Sequence, residues 1–251
     1  MHQRRHQITE RVNNEGRTSV QQLAEHFGVS VQTIRNDVRV LVQQGLLLRN
    51  HGEVLPFPHR ENISYDQRRI RNEPGKALIA ELCAEQLGGF QTLFMGTGST
   101  LAELAARLGE HKGLQVITNN LHVANRLCEH PDCGLTIAGG RVRLRDRDVI
   151  GGDALRFFKR YRADTAITSV GAMDANGQLF DFNDDEVMAR EAMLEQSRLR
   201  VLLLDSSKFD CLAPCHAGHI EDYDLVITDK PLPQRLQGLL IAKGKQTLSG
   251  T

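Results

Sequence analysis

The chain has 251 residues, 40% of them hydrophobic, and its formal net charge at pH 7 is zero. This length allows a domain of about 60 residues and a second of about 200, and the neutral balance excludes a uniformly basic nucleic-acid-binding protein. No apolar run reaches the ~20 residues that a membrane helix needs, the N-terminus lacks a signal-peptide core, and the five cysteines suit a reducing compartment. We therefore expect a cytoplasmic protein that makes no membrane contact.

The first strong pattern, in residues 20–39, is that of a helix-turn-helix. Two short amphipathic helices flank a link in which Gly28 suits a turn with positive φ and Ser30 can cap the second helix. The second helix then exposes Gln, Thr, Arg and Asn side chains, which can contact base edges and phosphates in a DNA major groove. The alternative is a small helical hairpin with a solvated polar face. The DNA-contacting residues predicted from this pattern are Ser30, Val31, Gln32, Thr33, Arg35, Asn36 and Arg39.

A β-hairpin is predicted directly after this motif. Two short apolar runs in residues 46–55 bracket a turn that contains Asn50 and Gly52, and a hairpin in this place makes the domain a winged helix. Arg49 and His51 then lie on or beside the wing and are predicted to contact DNA. Residues 1–56 carry seven arginines and five carboxylates, a net charge of +2, which is too weak for tight binding by one copy. We therefore expect a dimer or a tetramer that binds double-stranded DNA through the winged-helix domain 1–58.

A linker and an α/β domain are predicted for the rest of the chain. Residues 56–75 hold three prolines, several charges and no sustained period, so 59–75 are predicted as a linker with a short extended piece around 63–65. Residues 76–251 alternate between helices and apolar strands, which predicts a mainly parallel sheet covered on both faces. The predicted strands are 91–95, 114–118, 134–140, 164–172, 199–205 and 224–229, and the predicted helices are 76–87, 100–108, 121–127 and 185–196.

Ligands of such a sheet bind at the carboxyl ends of the strands, near a topological switch point. Residues 96–100 follow a strand and open a helix, so their N–H and hydroxyl groups can hold a phosphate; the alternative is a plain glycine-rich turn. Glu186 and Arg190 either reach the same crevice or form an exposed helical pair. The predicted ligand is a phosphorylated sugar or polyol. The predicted ligand-binding residues are Gly96, Thr97, Gly98, Ser99, Thr100, Asn119, Asn120, Gly139, Gly140, Arg141, Gly171, Asp174, Glu186, Arg190 and Lys208.

The segment Cys211-x3-Cys215-x3-His219 brings three metal-ligating residue types together. Its spacing is not a standard zinc pattern, a fourth ligand is not evident, and Pro214 interrupts any helix there. We therefore expect free thiols in a loop, no metal site and no cofactor.

Taken together, these motifs resemble the DeoR family of bacterial transcriptional repressors over nearly the whole chain. The resemblance lies in residues 33–37 of the recognition helix, 49–52 of the wing, and 118–120, 138–140, 169–172 and 205–209 after the strands. Within the family, residues 118–125 and 179–186 look most like the glycerol-3-phosphate-regulon repressor branch. The resemblance implies a C-terminal sensor domain, similar in fold to ribose-5-phosphate isomerase, whose phosphorylated ligand releases the winged helix from its operator.

The chain departs from the family pattern at three positions. Asn36 stands where the family usually has a second arginine, Glu53 stands where the wing usually has a second glycine, and Gly96 replaces an aspartate of the first sensor loop. These departures affect one DNA contact, the charge of the wing and the ligand hydroxyl that is recognised.

A sugar-phosphate isomerase with an appended DNA-binding domain is the alternative from another functional class. Residues 96–100 resemble the phosphate loop of ribose-5-phosphate isomerase, and residues 171–174 loosely resemble its acidic loop. Isomerisation needs a carboxylate base and a cation that stabilises the enediolate. Residues 179–185 hold carboxylates without a lysine, where the isomerase has an I-K-G-G-G segment. The sequence therefore predicts a regulator and not an enzyme.

Overall fold

The structure, a computed structural model, describes residues 2–43, 47–50, 52–56, 64–211 and 213–250. The chain separates into two compact units, Met1–Arg71 and Asn72–Thr251.

The first unit is a winged helix in the residues that the structure describes. Its antiparallel sheet has the strand order β1-β3-β2, and its core holds apolar side chains from all three leading helices and both wing strands, among them Ile8, Leu23, Ile34, Leu47 and Val54. The elements are α1 His2–Glu15, β1 Thr18–Ser19, α2 Val20–Phe27, α3 Val31–Gln43, β2 Leu47–Asn50, β3 Glu53–Pro56 and α4 Tyr65–Ile70. The predicted helix-turn-helix and hairpin are both confirmed.

Local capping explains the boundaries of the helix-turn-helix. Ser19 caps α2 in a reciprocal capping box with Gln22, and Gly28 ends α2 in the left-handed conformation at φ 61°. Ser30 Oγ accepts a hydrogen bond from the backbone N–H of Thr33 at 3.1 Å, which caps α3. These short-range bonds are readable from the sequence, and they set the turn between α2 and α3.

The segment predicted as a linker contains a helix, which the sequence analysis missed. Ser64 and Gln67 form a second capping box that starts α4, so the predicted extended piece is wrong at Tyr65. The next helix begins at Glu73, ahead of the predicted residue 76, because Pro74 is favourable in a first helical turn. Residues 57–63 lie outside the described part of the chain. A helix of six residues is too short to show a periodic pattern.

The second unit is built on a seven-stranded parallel sheet. Its strand order is β15-β14-β12-β9-β4-β5-β6, and every neighbouring pair is parallel. The helices of this unit are α5 Glu73–Gln86, α6 Ser99–Ala105, α7 Leu121–Leu127, α8 Gly152–Phe158, α9 Asp184–Glu195 and α10 Gln234–Ala242. The strands are β4 Thr92–Met95, β5 Leu114–Thr118, β6 Cys133–Ile137, β7 Val142–Arg143, β8 Asp148–Val149, β9 Ala163–Thr168, β10 Ala172–Met173, β11 Gln178–Asp181, β12 Ser197–Leu204, β13 Cys215–His219, β14 Leu225–Thr228 and β15 Gln246–Ser249.

Both faces of this sheet are buried, as predicted. In β4, Leu93 and Met95 pack into one apolar cluster with α5 and α6, whereas Phe94 packs into another with Phe158 of α8. The strand order reverses between β4 and β9, because the chain runs from β4 through β5 to β6 and then returns to the other side of β4. The carboxyl ends of β4 and β9 therefore form the topological switch point.

Several smaller elements were not predicted. They are α8, α10, β15, the hairpin β7–β8 and the antiparallel sheet β10-β11-β13. The strand predicted at 134–140 ends at Ile137, and the strand predicted at 164–172 ends at Thr168 before the separate strand β10. Two-residue strands such as β7 and β8 carry no alternating pattern, so the sequence gives no signal for them.

Candidate nucleic-acid interface and ligand crevice

The outward face of α3 carries the polar side chains that the sequence predicted. Gln32, Arg35, Asn36 and Arg39 are all exposed, and Gln32 Nε2 donates to Asn36 Oδ1 at 3.5 Å. Spaced three and four residues apart, they form a continuous stripe along one side of the helix. This stripe combines amide groups, which suit base edges, with guanidinium groups, which suit bases and phosphates.

Three predicted contact residues lie at the start of α3. Ser30 is exposed and caps the helix, and its hydroxyl lies 2.9 Å from that of half-buried Thr33. Val31, which was predicted to be an outward-facing DNA-contacting residue, is instead half-buried against the apolar cluster of the unit, so its predicted outward orientation is wrong. An apolar residue beside a short turn gains more from core contact than from solvent exposure.

The wing presents Arg49 to solvent on β2. His51 lies outside the described residues, so its predicted DNA contact stays a prediction. Gly52 adopts φ 89°, the left-handed region that the tight wing turn requires. Glu53, which departs from the family pattern, forms an ion pair with Arg17. This pairing offsets the negative charge that Glu53 brings to the wing.

Helix α3 is held in place by a buried carboxylate. Asp37 on the inner side of α3 accepts hydrogen bonds from Arg4 Nε at 2.7 Å and from Arg5 Nε at 2.8 Å, both on α1. Burial raises the pKa of Asp37, but the hydrogen bonds and charges of the two arginines outweigh burial and hold it below its usual value. Both arginines are therefore paired within the unit, and exposed positive charge comes from Arg35 and Arg39 of the stripe on α3 and from Arg49 of the wing.

In the second unit, the loop after β4 lies at the switch point. Gly98 adopts φ 109°, and the backbone N–H groups of residues 97–100 donate to no acceptor within the described part of the chain. The side chains of Ser99 and Thr100 are buried beside them. Free N–H groups at a glycine-rich turn form a concave site for an anion. We call the space between this loop, α9 and the end of β9 the crevice.

Asn120 fixes the shape of this loop from the neighbouring strand end. Its Nδ2 donates to the carbonyl oxygens of Gly96 and Gly98 at 3.2 Å each, while its Oδ1 caps α7 by accepting from the N–H of His122 at 2.9 Å. Asn119 is fully buried and donates to the carbonyl oxygen of Val149 at 2.8 Å, and its Oδ1 has no hydrogen-bond partner among the described residues. Both asparagine side chains thus stabilise the loops around the crevice by donating hydrogen bonds to backbone carbonyl oxygens.

Glu186 is the centre of the polar network in the crevice. Its Oε1 accepts from Thr97 Oγ1 at 2.7 Å, and its Oε2 accepts from Arg143 Nη2 at 3.0 Å. Arg143 also makes a two-pronged contact with Asp148, at 2.6 and 2.9 Å, and lies 3.2 Å from Asp146. Glu186 and Arg190 are both buried, so they do not form an exposed helical pair, and Glu186 lies beside the loop through its contact with Thr97. Arg141 was predicted for this role, but the arginine that binds Glu186 is Arg143, two residues further on.

A second ion pair borders the crevice at the end of β9. Arg190 Nη1 donates to Asp181 Oδ2 at 2.5 Å and to the carbonyl oxygen of Ser169 at 3.1 Å, and both charged side chains are buried. Burial raises the pKa of Asp181, although Arg190 opposes the shift. Lys208 Nζ donates to the carbonyl oxygen of Val170 at 2.5 Å and to Ser169 Oγ at 3.3 Å. Arg190 and Lys208 therefore converge on the same strand end.

The remaining predicted ligand residues lie apart from the hydrogen-bond network of Glu186 and Arg190 in the described part of the chain. Asp174 Oδ1 accepts from the N–H groups of Asn176 and Gln178, both at 2.9 Å, so it closes the turn between β10 and β11. Gly139, Gly140 and Arg141 are exposed after β6, and Gly171 is half-buried beside Asp181.

The cysteine-rich segment does not assemble a metal site in the described residues. Cys211 Sγ donates to the carbonyl oxygens of Ser207 and Phe209, at 3.6 and 3.3 Å. No group of three or more His, Cys, Asp or Glu side chains arranged for a metal ion occurs in the described ranges. Among the same residues, no helix has the length and apolar character to span a membrane.

Known proteins resemble this chain over both units. The DeoR-like helix-turn-helix domain matches residues 4–55, and the DeoR C-terminal sensor domain matches residues 71–230. The glycerol-3-phosphate regulon repressor of Escherichia coli K12 is 37% identical over 238 residues, which cover 95% of this chain and 94% of that protein. The transcriptional repressor CsqR of the same organism is 31% identical, with 94% and 91% covered. Ribose 5-phosphate isomerase A from Methanocaldococcus jannaschii aligns at a TM-score of 0.39 and 15% identity, with 55% of each chain covered. The chain is a member of the DeoR family of transcriptional regulators, with a DNA-binding domain followed by a sensor domain.

Proposed function

We propose that this protein represses a carbohydrate or polyol catabolic operon and is released from its operator by a phosphorylated sugar or polyol. The observation that carries the ligand class is the loop 97–100 at the switch point, whose N–H groups have no acceptor within the described residues and whose Thr97 contacts Glu186. Lys208 donates to the carbonyl oxygen of Val170, just after the neighbouring strand β9. N–H donors and an ammonium suit a phosphate, whereas carboxylates and amides suit hydroxyl groups. The name of the 37% identical relative, a glycerol-3-phosphate regulon repressor, supports the same class.

Operator recognition is assigned to the stripe on α3 and to the wing. In this proposal Gln32, Arg35, Asn36 and Arg39 contact base edges and phosphates, and Arg49 contacts the backbone beside the wing. The small net charge of the winged helix supports a dimer or a tetramer, because two copies sum their phosphate contacts. A location in the cytoplasm follows from this role.

Release requires that the effector bind better to the free form of the protein than to the operator-bound form. A ligand with equal affinity for both forms would shift nothing, however tightly it bound. We infer that Glu186 contributes to this difference, because a phosphate at Thr97 would place negative charge beside a carboxylate that accepts hydrogen bonds from both Thr97 and Arg143. Phosphate binding is therefore expected to rearrange these two contacts.

The isomerase alternative is not favoured. Two relatives that align over nearly the full chain, the glycerol-3-phosphate regulon repressor and CsqR, are named as repressors. In the acidic stretch that replaces the isomerase lysine segment, the buried Asp181 is already neutralised by Arg190. No second function is proposed.

The direct test is a thermal-shift screen of the full chain against phosphorylated sugars and polyols, with glycerol 3-phosphate included. Each hit is then added to an operator-binding assay that uses a duplex selected by the chain from a random-sequence pool. We expect one compound to raise the melting temperature and to lower operator affinity. A binder that leaves operator affinity unchanged would contradict the release mechanism, and turnover of a pentose or hexose phosphate would contradict the regulator assignment.

A further inference from the structure

The sensor unit begins with a strained asparagine. Asn72 has φ 51°, in the left-handed region that costs a non-glycine residue free energy, and it precedes α5 without making a side-chain cap. Its side chain instead binds two aspartates that lie far along the sequence. Asn72 Nδ2 donates to Asp229 Oδ2 at 2.9 Å and to Asp205 Oδ1 at 3.3 Å. The first residue of the sensor unit is thus tied to the carboxyl ends of β12 and β14.

The neighbouring residues are shaped around this contact. A Cβ atom at Gly75 would lie 2.5 Å from Asn72 Nδ2 and 2.6 Å from Asp229 Oδ2, so only glycine leaves room for the Asn72 side chain. Asp229 also accepts from the N–H of Ser206 at 2.6 Å and from its hydroxyl at 2.8 Å. The contact therefore depends on three residues at once: Gly75, Asp229 and the strained Asn72.

Asp205 connects this feature to the crevice. It is fully buried, its Oδ1 accepts from Asn72 and Ser207, and its Oδ2 accepts no hydrogen bond from the described residues. Lys208 Nζ lies 4.0 Å from that Oδ2, and the same ammonium donates to Val170 at the end of β9. Burial raises the pKa of Asp205, but the charges of Lys76 and Lys208, together with the hydrogen bonds from Ser207 and Asn72, hold it below its usual value. The carboxylate is therefore charged and depends on nearby ammonium groups.

We propose that Asn72 is the residue through which the sensor unit reports effector binding to the segment leading to the winged helix. The contacts run from Lys208 at the crevice to Asp205 and on to Asn72. This inference rests on the proposed function, because it assumes an anionic effector at Lys208. An anion there draws the ammonium away from Asp205, and a buried carboxylate that loses compensating charge has to change its remaining contacts. Asn72 holds one of those contacts, and Arg71 directly precedes it.

Two variants test the coupling, and neither changes the crevice itself. Asn72→Ala removes the hydrogen bonds, and Gly75→Ala displaces the asparagine without altering it. The measured quantity is the ratio of operator affinities without and with saturating glycerol 3-phosphate, or the hit of the screen. We expect both variants to bind that compound with a dissociation constant within twofold of wild type. Their ratio of operator affinities should be at least fivefold smaller than the wild-type ratio. Glu81→Gln, at an exposed position on α5, is the matched control and should keep the wild-type ratio.

A ratio that stays within twofold of wild type in Asn72→Ala would overturn the inference, whatever happens to Gly75→Ala. If the wild-type chain binds no phosphorylated compound in the screen, the proposed effector class is wrong. The coupling is then tested by a second experiment that needs no ligand. The probe in that experiment is the Lys76 amide, which donates to the carbonyl oxygen of Asn72 at 3.1 Å. Hydrogen exchange at this amide should be at least fivefold faster in Lys208→Met than in the Glu81→Gln control. Unchanged exchange would overturn the coupling.

Discussion

Glu186 Oε1 accepts a hydrogen bond from Thr97 Oγ1 at 2.7 Å, so a carboxylate of α9 occupies the side of the loop where a phosphate is proposed to bind. The same carboxylate binds Arg143, which holds the hairpin β7–β8. The Glu186 side chain therefore contacts both the loop after β4 and the hairpin β7–β8.

Substituting Glu186 with glutamine should tighten the binding of a phosphorylated effector. Glutamine keeps an acceptor for Thr97 and removes a negative charge near the phosphate, a change worth about 1 kcal/mol, or about fivefold in the dissociation constant. Calorimetric titration of glycerol 3-phosphate, or of the hit from the screen, measures the effect. Glu191→Gln, at an exposed position on the same helix, is the control and should bind like wild type. Weaker binding by Glu186→Gln would instead mean that Glu186 accepts from an effector hydroxyl.

Substituting Arg35 with alanine should weaken operator binding about 10- to 100-fold, because a good arginine–base contact contributes about 1–3 kcal/mol. Effector binding should not change. Fluorescence anisotropy with the selected duplex measures the loss, and Arg126→Ala removes the same charge from an exposed position in the sensor unit. Equal affinities for the two variants would show that the outward face of α3 does not read the operator.

Substituting Gly98 with valine should abolish the effector response and leave operator binding intact. No atom lies within 4 Å of a Cβ at this position, so the strain comes entirely from φ 109°, which a β-branched residue does not adopt. The loop should therefore change shape and lose its N–H cradle. Gly109→Ala, a glycine with equal space and no positive φ, is the control. A valine variant that is released normally would remove this loop from the site.

Substituting Asp37 with asparagine should destabilise the winged-helix unit by roughly 2 kcal/mol at pH 7, less than for a fully buried pair because Arg4 and Arg5 stay partly solvated. The pKa of Asp37 is lowered in the folded chain, so its contribution is complete above its ordinary value of about 4 and is lost as pH falls through the lowered one. Wild type and variant should therefore differ in melting temperature at neutral pH and converge in strong acid. Scanning calorimetry measures both, with Glu25→Gln as an exposed control. A constant difference down to pH 2 would contradict the assignment.

The helix-turn-helix and the parallel sheet could be predicted because their information is local. Ser19, Gly28 and Ser30 specify the turn through contacts within a few residues, and the apolar strands specify burial on both faces. The role of Arg143 could not be predicted in this way. It meets Glu186 only because two-residue strands turn the chain back towards a helix 43 residues further on. Asn72 was assigned to a linker for the same reason, since its partners lie 133 and 157 residues away.

The asparagine contact also determines where related regulators can be recombined. A chimera that takes a different operator-reading unit should be joined after Arg71, so that Asn72 and Gly75 remain with the aspartates at positions 205 and 229. A junction placed a few residues later would import a foreign residue opposite Asp229 and separate partners that occur in the chain as a set. The DNA-binding unit of this chain is therefore best exchanged at the bond between Arg71 and Asn72.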